Sequence, residues 1–225
     1  MRISSLSRLR EQWSDPLLTA LTVILILMLF VFAPLQATGN GLFQKLGFAS
    51  ALLIIGGAFF VSGSPTVAVA LLVAFVMASA GAIMRLNSQD IIDIYLFAGA
   101  LLLIGTTVGG VAARAVFAAG RVTYHRIVGA ILVYLCVAVI FVALFIFVGL
   151  IAPNAFSGMK FEDSPALASN VIYFSFVTLT STGYGDVFPV HPVARSLCNL
   201  ETIVGQLYPA TLLARLVSLE IEGRR

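Results

Sequence analysis

Charge is what this sequence has least of. Only 10% of its 225 residues are charged, against about 25% in a soluble domain. That deficit excludes a soluble enzyme, a disordered chain and a solvated scaffold. Cysteine is scarce too. Cys136 and Cys198 are the only two, each inside an apolar run where a thiol behaves as a small hydrophobe. No Cys-x-x-Cys occurs, and His125 and His191 stand isolated, so no disulfide framework, metal site or catalytic arrangement is expected. The excess of base is small. A net charge of +3 without a basic cluster does not fit a nucleic-acid partner. No enzyme activity and no cofactor are expected.

What is present is apolar: 60% of the residues are hydrophobic. A bilayer span needs ~20 such residues, so the composition fits about six spans. Charge-free runs place them. Leu17–Ala33 ends at Pro34, and Leu46–Met84 is split in two by Ser62-Gly63-Ser64-Pro65. There Ser64 suits a helix N-cap and Pro65 the first helical position. Ile94–Ala113, Ile127–Ile151 and 193–219 complete the six. Arg2, Arg8 and Arg10 precede the first run as in a signal peptide. The run is long for one and Leu35-Gln36-Ala37 is a poor cleavage site, so a retained span is expected.

Orientation follows from Lys and Arg. Cytoplasmic termini place Arg2, Arg8, Arg10, Arg114, Arg121, Arg126, Arg215, Arg224 and Arg225 inside, against Lys45, Arg85, Lys160 and Arg195 outside. The expectation is a multi-pass protein of the cell (inner or plasma) membrane in contact with its lipids. Ile3, Leu6, Leu9 and Trp13 recur at helical spacing and predict a surface-lying helix. The basic, apolar stretch Arg114–Arg126 predicts another. Gly105-x-x-x-Gly109 permits close helix contact, most simply within the chain.

Ser164–Gly185 is also free of charge, yet Thr178, Thr180, Ser181, Thr182, Gly183 and Gly185 would face lipid poorly. Non-helical backbone at membrane depth must be buried in protein or line water. The run is therefore predicted as a short helix, 165–179, followed by an extended loop, 180–186, that re-enters without crossing. The glycines on either side of Tyr184, Gly183 and Gly185, favour such non-helical backbone.

Thr178-Leu179-Thr180-Ser181-Thr182-Gly183-Tyr184-Gly185-Asp186 resembles the T-x-T-x-G-Y-G-D signature of potassium channels. The resemblance covers about Ile127–Leu219, and the preceding spans fit six-span, one-pore prokaryotic members. It implies an all-α integral membrane protein: six transmembrane helices with a re-entrant pore helix and filter between helices 5 and 6. Residues 1–126 would hold the surface helix, four spans and linker. Residues 127–225 would form the pore, with outer helix 127–151 and inner helix 193–219. By the same resemblance Thr180–Asp186 form the filter, and the carbonyls of Ser181, Thr182, Gly183 and Tyr184 hold K+ in place of its water. The Ser181 hydroxyl would complete the innermost site. One chain supplies one strand, so the implied partners are three further copies, a homotetramer.

Ser181 stands where Thr is usual, and Thr182 where Val is usual. A weakly selective cation channel therefore remains an alternative, as does a non-conducting sensor or carrier on the same fold. Val177 leaves Asp186 in need of another partner. Tyr173 is the candidate, unless Tyr173 and Phe174 serve as an aromatic cuff. Arg195 is expected to pair with Asp186, Glu162 or Asp163. Glu201, ionisable within a span, is expected to bond the back of the pore helix or filter. His191-Pro192 should open the inner helix. Gly205 falls where these channels carry a hinge glycine, and Pro209 follows one turn later; a gating hinge and a static kink are both open. Gln206, Leu213 and Val217 share the side expected to face the pore. No Arg or Lys lies between Ile94 and Ala113, which excludes a charge-driven voltage sensor. Few residues follow Leu219, so no cytoplasmic ligand domain is expected. Protons, lipid, tension or an accessory protein remain as stimuli.

Overall fold

The computed structural model describes residues 5–39, 41–62, 64–87, 91–117, 124–162, 164 and 166–223. Ile3, Gly63, the linker 118–123, Asp163 and Pro165 lie outside them, as do the side chains of Leu6, Leu9, Trp13, His125 and Val217. The elements are α1 (Ser5–Leu27), a π-helical turn (Met28–Phe32), α2 (Ala33–Gln36), α3 (Gly41–Ser62), α4 (Pro65–Asn87), α5 (Ile91–Val116) and α6 (Tyr124–Ile151). They continue as β1 (Phe156–Ser157), α7 (Leu167–Leu179), β2 (Phe188–Pro189) and α8 (Pro192–Gly223). Among the described residues the fold is all-α apart from one ribbon of two two-residue strands.

Four stretches are long and apolar enough to cross a membrane among the described residues: Pro16–Gln36, Pro65–Met84, Ile91–Val116 and Arg126–Ile151. The other two expected spans differ from this standard. In α3 the apolar stretch is the shorter Lys45–Ala58. The 32-residue α8 is long enough, but Arg195, Asn199, Glu201, Gln206 and Arg215 make it a poor lipid-facing helix.

Pro34 does not end the first apolar helix. It has no N–H for the Phe30 carbonyl, and the turn before it widens instead, with Ala33 N–H donating to Met28 O, five residues back. Such π turns let a helix run past a local misfit. The sequence-derived surface helix and first span are likewise continuous in α1. In contrast Pro65 does begin α4, and Pro192 begins α8.

α6 is the central post: α1, α5, α7 and α8 all pack on it. Its inward side carries Leu132, Cys136, Val139, Val142, Phe145 and Ile146, all buried. The two glycines singled out in α5 explain how close that helix comes. A Cβ on Gly105 would lie 2.9 Å from Ile140 Cγ1 and one on Gly109 3.0 Å from Cys136 Cβ. The glycine pair serves packing within the chain. The first helix reaches further, with Phe30 and Phe176 of α7 in ring contact at 4.8 Å. At the other end of α8, Arg215 donates to Phe117 O at 3.0 Å and covers the Phe117 ring at 4.8 Å.

The Gly105–Ile140 contact sets a measurable constraint. Gly105→Leu is expected to force α5 from α6 and to destabilise the chain by about 1–3 kcal/mol, read as a lowered melting temperature in detergent.

Candidate functional site

The 13-residue α7 is too short to cross a bilayer. It begins at Leu167, later than the sequence-derived 165, and ends at Leu179 as expected. Its buried face, Leu167, Val171, Phe174, Ser175 and Leu179, sits between α6 and α8. Phe174 points into that core. Its ring meets Phe145 edge-on at 5.0 Å and Phe156 at 5.4 Å. It anchors the helix to α6 and β1 rather than forming a cuff around the loop.

After α7 the chain alternates in handedness. Ser181, Gly183 and Gly185 have φ of 57°, 59° and 81°, while Thr182 and Tyr184 between them do not enter the positive-φ region. Alternation residue by residue turns successive carbonyls to one side of the strand. The N–H groups turn the other way, and the first three are held there. Ser181 N–H donates to Thr178 O at 3.0 Å, and those of Thr182 and Gly183 to Val177 O at 2.9 and 3.4 Å. Among the described residues, the carbonyls of Ser181, Thr182, Gly183 and Tyr184 accept no hydrogen bond from the protein. The left-handed serine was not foreseen. A non-glycine residue there costs about 1–3 kcal/mol and persists only when its surroundings hold it.

Those surroundings can be named. Thr180 Oγ donates to Phe176 O at 2.7 Å, and its oxygen lies 2.8 Å from Thr182 Oγ. The hydroxyl that Thr182 adds therefore has a partner. At the far end Tyr173 donates to Asp186 at 2.8 Å, and Tyr173 stacks parallel to Tyr184 at 6.2 Å. Asp186 also accepts from Val187 N–H at 3.0 Å. Among the described residues Arg195 Nε donates to Pro189 O at 3.3 Å and Glu162 pairs with Lys160 at 3.8 Å, while Asp163, the third acid expected to pair with Arg195, lies outside those residues.

The antiparallel ribbon β1–β2, Phe156 opposite Pro189, ties the loop's exit to the segment before α7. Gly158, at φ 83°, lets that segment approach; a Cβ there would overlap Asp186 O. This ribbon was not foreseen either, because two-residue strands leave no alternation to read.

Behind α7 stands Glu201, wholly buried. The Ser175 hydroxyl has one proton and two acceptors, Glu201 Oε1 at 2.5 Å and Ala138 O at 3.1 Å. Glu201 thus bonds the back of the short helix, as expected, and joins α6, α7 and α8 at one point. From α8, Thr202 Oγ donates to Thr178 O at 3.3 Å and Gln206 Nε2 to Ser181 Oγ at 2.9 Å. Gly205 lies between them, and an ideal Cβ on it would overlap Leu179 O. The observed need for glycine at 205 is this close approach. α8 runs unbroken through Gly205 and Pro209. Pro209 lacks the N–H that would bond the Gly205 carbonyl. Leu213 is exposed two turns beyond Gln206, on the same face.

Removing a buried partner isolates the other. Ser175→Ala is expected to cost about 1–3 kcal/mol, seen as a fall in melting temperature, with Glu201→Ala no less harmful; a neutral Ser175→Ala would show that the buried contact does not hold the three helices.

The family described as "Ion channel" is matched by residues 130–221. Among curated proteins, Protein LctB of Bacillus caldotenax is 38% identical over 66 residues, which is 29% of this chain and 46% of that protein. The chain thus spans about half the length of the curated relative it matches. No solved structure matches it. The matched segment takes in α7, the loop after it and nearly all of α6 and α8. Over residues 130–221 the chain is similar to ion-channel domains, and with four membrane-length apolar helices it is an all-α membrane protein with a channel-type domain.

Proposed function

We propose that the chain is one subunit of a homotetrameric channel that passes K+ down its electrochemical gradient, with Thr180–Asp186 as its filter. One observation carries the reading: four consecutive carbonyls, Ser181 to Tyr184, in a stretch of alternating handedness and unclaimed by hydrogen bonds among the described residues. A dehydrated cation needs oxygens in place of its hydration shell, strong enough to admit it and weak enough to release it. Unclaimed carbonyls held from behind by α7 meet that need. One chain provides one strand of oxygens, and a ring requires several; four is the number that the resemblance to potassium channels implies. In this assembly α6 is the outer helix, α7 re-enters the membrane, α8 lines the inner pore, and α1, α3, α4 and α5 are the other four spans. Both termini are cytoplasmic, and the membrane is the cell membrane.

The C-terminal end of α7 points its dipole toward the loop, which favours a cation there. The first four spans do not sense voltage through charge, since α5 carries Arg114 only in its last turn. Gly205 and Pro209 supply a weakened point in α8 at which a lower gate can bend.

The test is flux from liposomes holding the purified chain, with K+, Rb+ and Na+ measured separately. K+ and Rb+ are expected to pass and Na+ to lag. Comparable Na+ and K+ flux would favour a weakly selective pore, and no flux of any cation would contradict the reading. Gly183→Ala is expected to abolish K+ flux with the assembly intact, since alanine disfavours φ of 59° by about 1–2 kcal/mol. Retained flux would mean that the filter is elsewhere.

A further inference from the structure

We propose that Gln206 is a positioning residue for the innermost ion site, acting through the Ser181 hydroxyl. Three observations meet at this point. Ser181 is the loop's single non-glycine residue in the left-handed region, at φ 57°. Its hydroxyl receives the Gln206 carboxamide at 2.9 Å. The approach that makes the bond possible is built into α8, where Gly205 lies against Leu179 O and Thr202, one turn earlier, donates to Thr178 O at 3.3 Å.

A serine hydroxyl on a free side chain exchanges among three χ1 wells. With one lone pair committed to Gln206 Nε2, the oxygen is held in one of them, and its second lone pair is left for a cation arriving from the α8 side. The wall of the innermost site is then set by two elements at once, the loop and the inner helix. A movement of α8 at Gln206 changes the site directly, without first passing through α7. Thr is usual at position 181 in potassium channels, and its extra methyl would restrict the rotamer by itself. Serine lacks that methyl, and Gln206 supplies the restriction from outside.

The inference rests on the reading of Ser181–Gly185 as the ion path, and the two fail differently. Ba2+ is close to K+ in size and doubly charged, so block of liposome K+ flux by Ba2+ on the cytoplasmic side reports the innermost site. Gln206→Leu is expected to raise the half-blocking Ba2+ concentration about three- to tenfold, and Ser181→Ala to do the same. The double variant is expected to be no worse than Ser181→Ala, because Gln206 acts through that hydroxyl. Multiplying effects, a Gln206→Leu block equal to wild type, or wild-type flux indifferent to Ba2+ would overturn the role of Gln206 and leave the channel reading standing. A wild-type chain that passes no cation overturns both. Where either variant carries no flux, the Ba2+-dependent rise in melting temperature of the detergent-solubilised protein takes its place. A smaller rise than in wild type supports the role, and an equal one overturns it.

Discussion

A strand whose carbonyls all face one way must be held entirely from its other side. This constraint organises the C-terminal half of the molecule. The Ser181–Gly185 loop cannot stabilise itself as a helix or as a sheet, and the N–H groups of Ser181, Thr182 and Gly183 lean on two carbonyls at the end of α7, Val177 and Thr178. Everything nearby fixes α7. Phe174 locks it into the aromatic cluster of Phe145 and Phe156, Ser175 ties it to α6 and Glu201, and Leu179 receives Gly205 of α8. The ends of the loop are held by different means, Tyr173 and the β1–β2 ribbon at the exit, Gln206 at the entrance.

The buried acid is the costliest part of this arrangement. A carboxyl within an apolar wall must be hydrogen-bonded or neutral, and Glu201 has the Ser175 hydroxyl on one oxygen. Among the described residues its second oxygen has no partner. Apolar packing alone would hold α6, α7 and α8 together without fixing their register. A directional contact at their junction specifies it, and register is what places Thr202, Gly205 and Gln206 against the loop. The N-terminal helices enter through apolar contacts, Phe30 on Phe176 and the α5 glycines on α6, and through Arg215 on Phe117 at the far end.

Much of this was legible in the sequence, and the reasons differ by residue. Helix bounds followed from charge-free runs and from proline at the first helical position, as at Pro65 and Pro192. The glycines of the loop and the position of Glu201 followed from chemistry that admits few alternatives, whereas the Tyr173–Asp186 bond was one of two readings left open. Pro34 misled because a π turn absorbs a proline that an ideal helix would reject. The left-handed Ser181 was invisible because serine does not announce positive φ. Gly205 left a hinge and a static kink both open, and its close approach to the Leu179 carbonyl, far back along the chain, gave no signal in the sequence. Among the described residues the partner of Arg195 is the Pro189 carbonyl, since at an exposed site ion pairing contributes little and a main-chain oxygen serves as well. The polar face of α8 reads as a weak span because its partners are the loop and α7, not lipid.

Thallium is the most direct probe of the central claim, that the Ser181–Tyr184 carbonyls line the ion path. Tl+ resembles K+ in size and scatters X-rays anomalously, so crystals of the assembled protein grown in Tl+ locate the ions without reference to the chain. A column of Tl+ sites is expected on a fourfold axis, each ringed by carbonyl oxygens from Ser181 to Tyr184, with the Ser181 hydroxyls closing the inner end. Tl+ bound elsewhere, or those carbonyls turned away from the axis in the presence of Tl+, would contradict it.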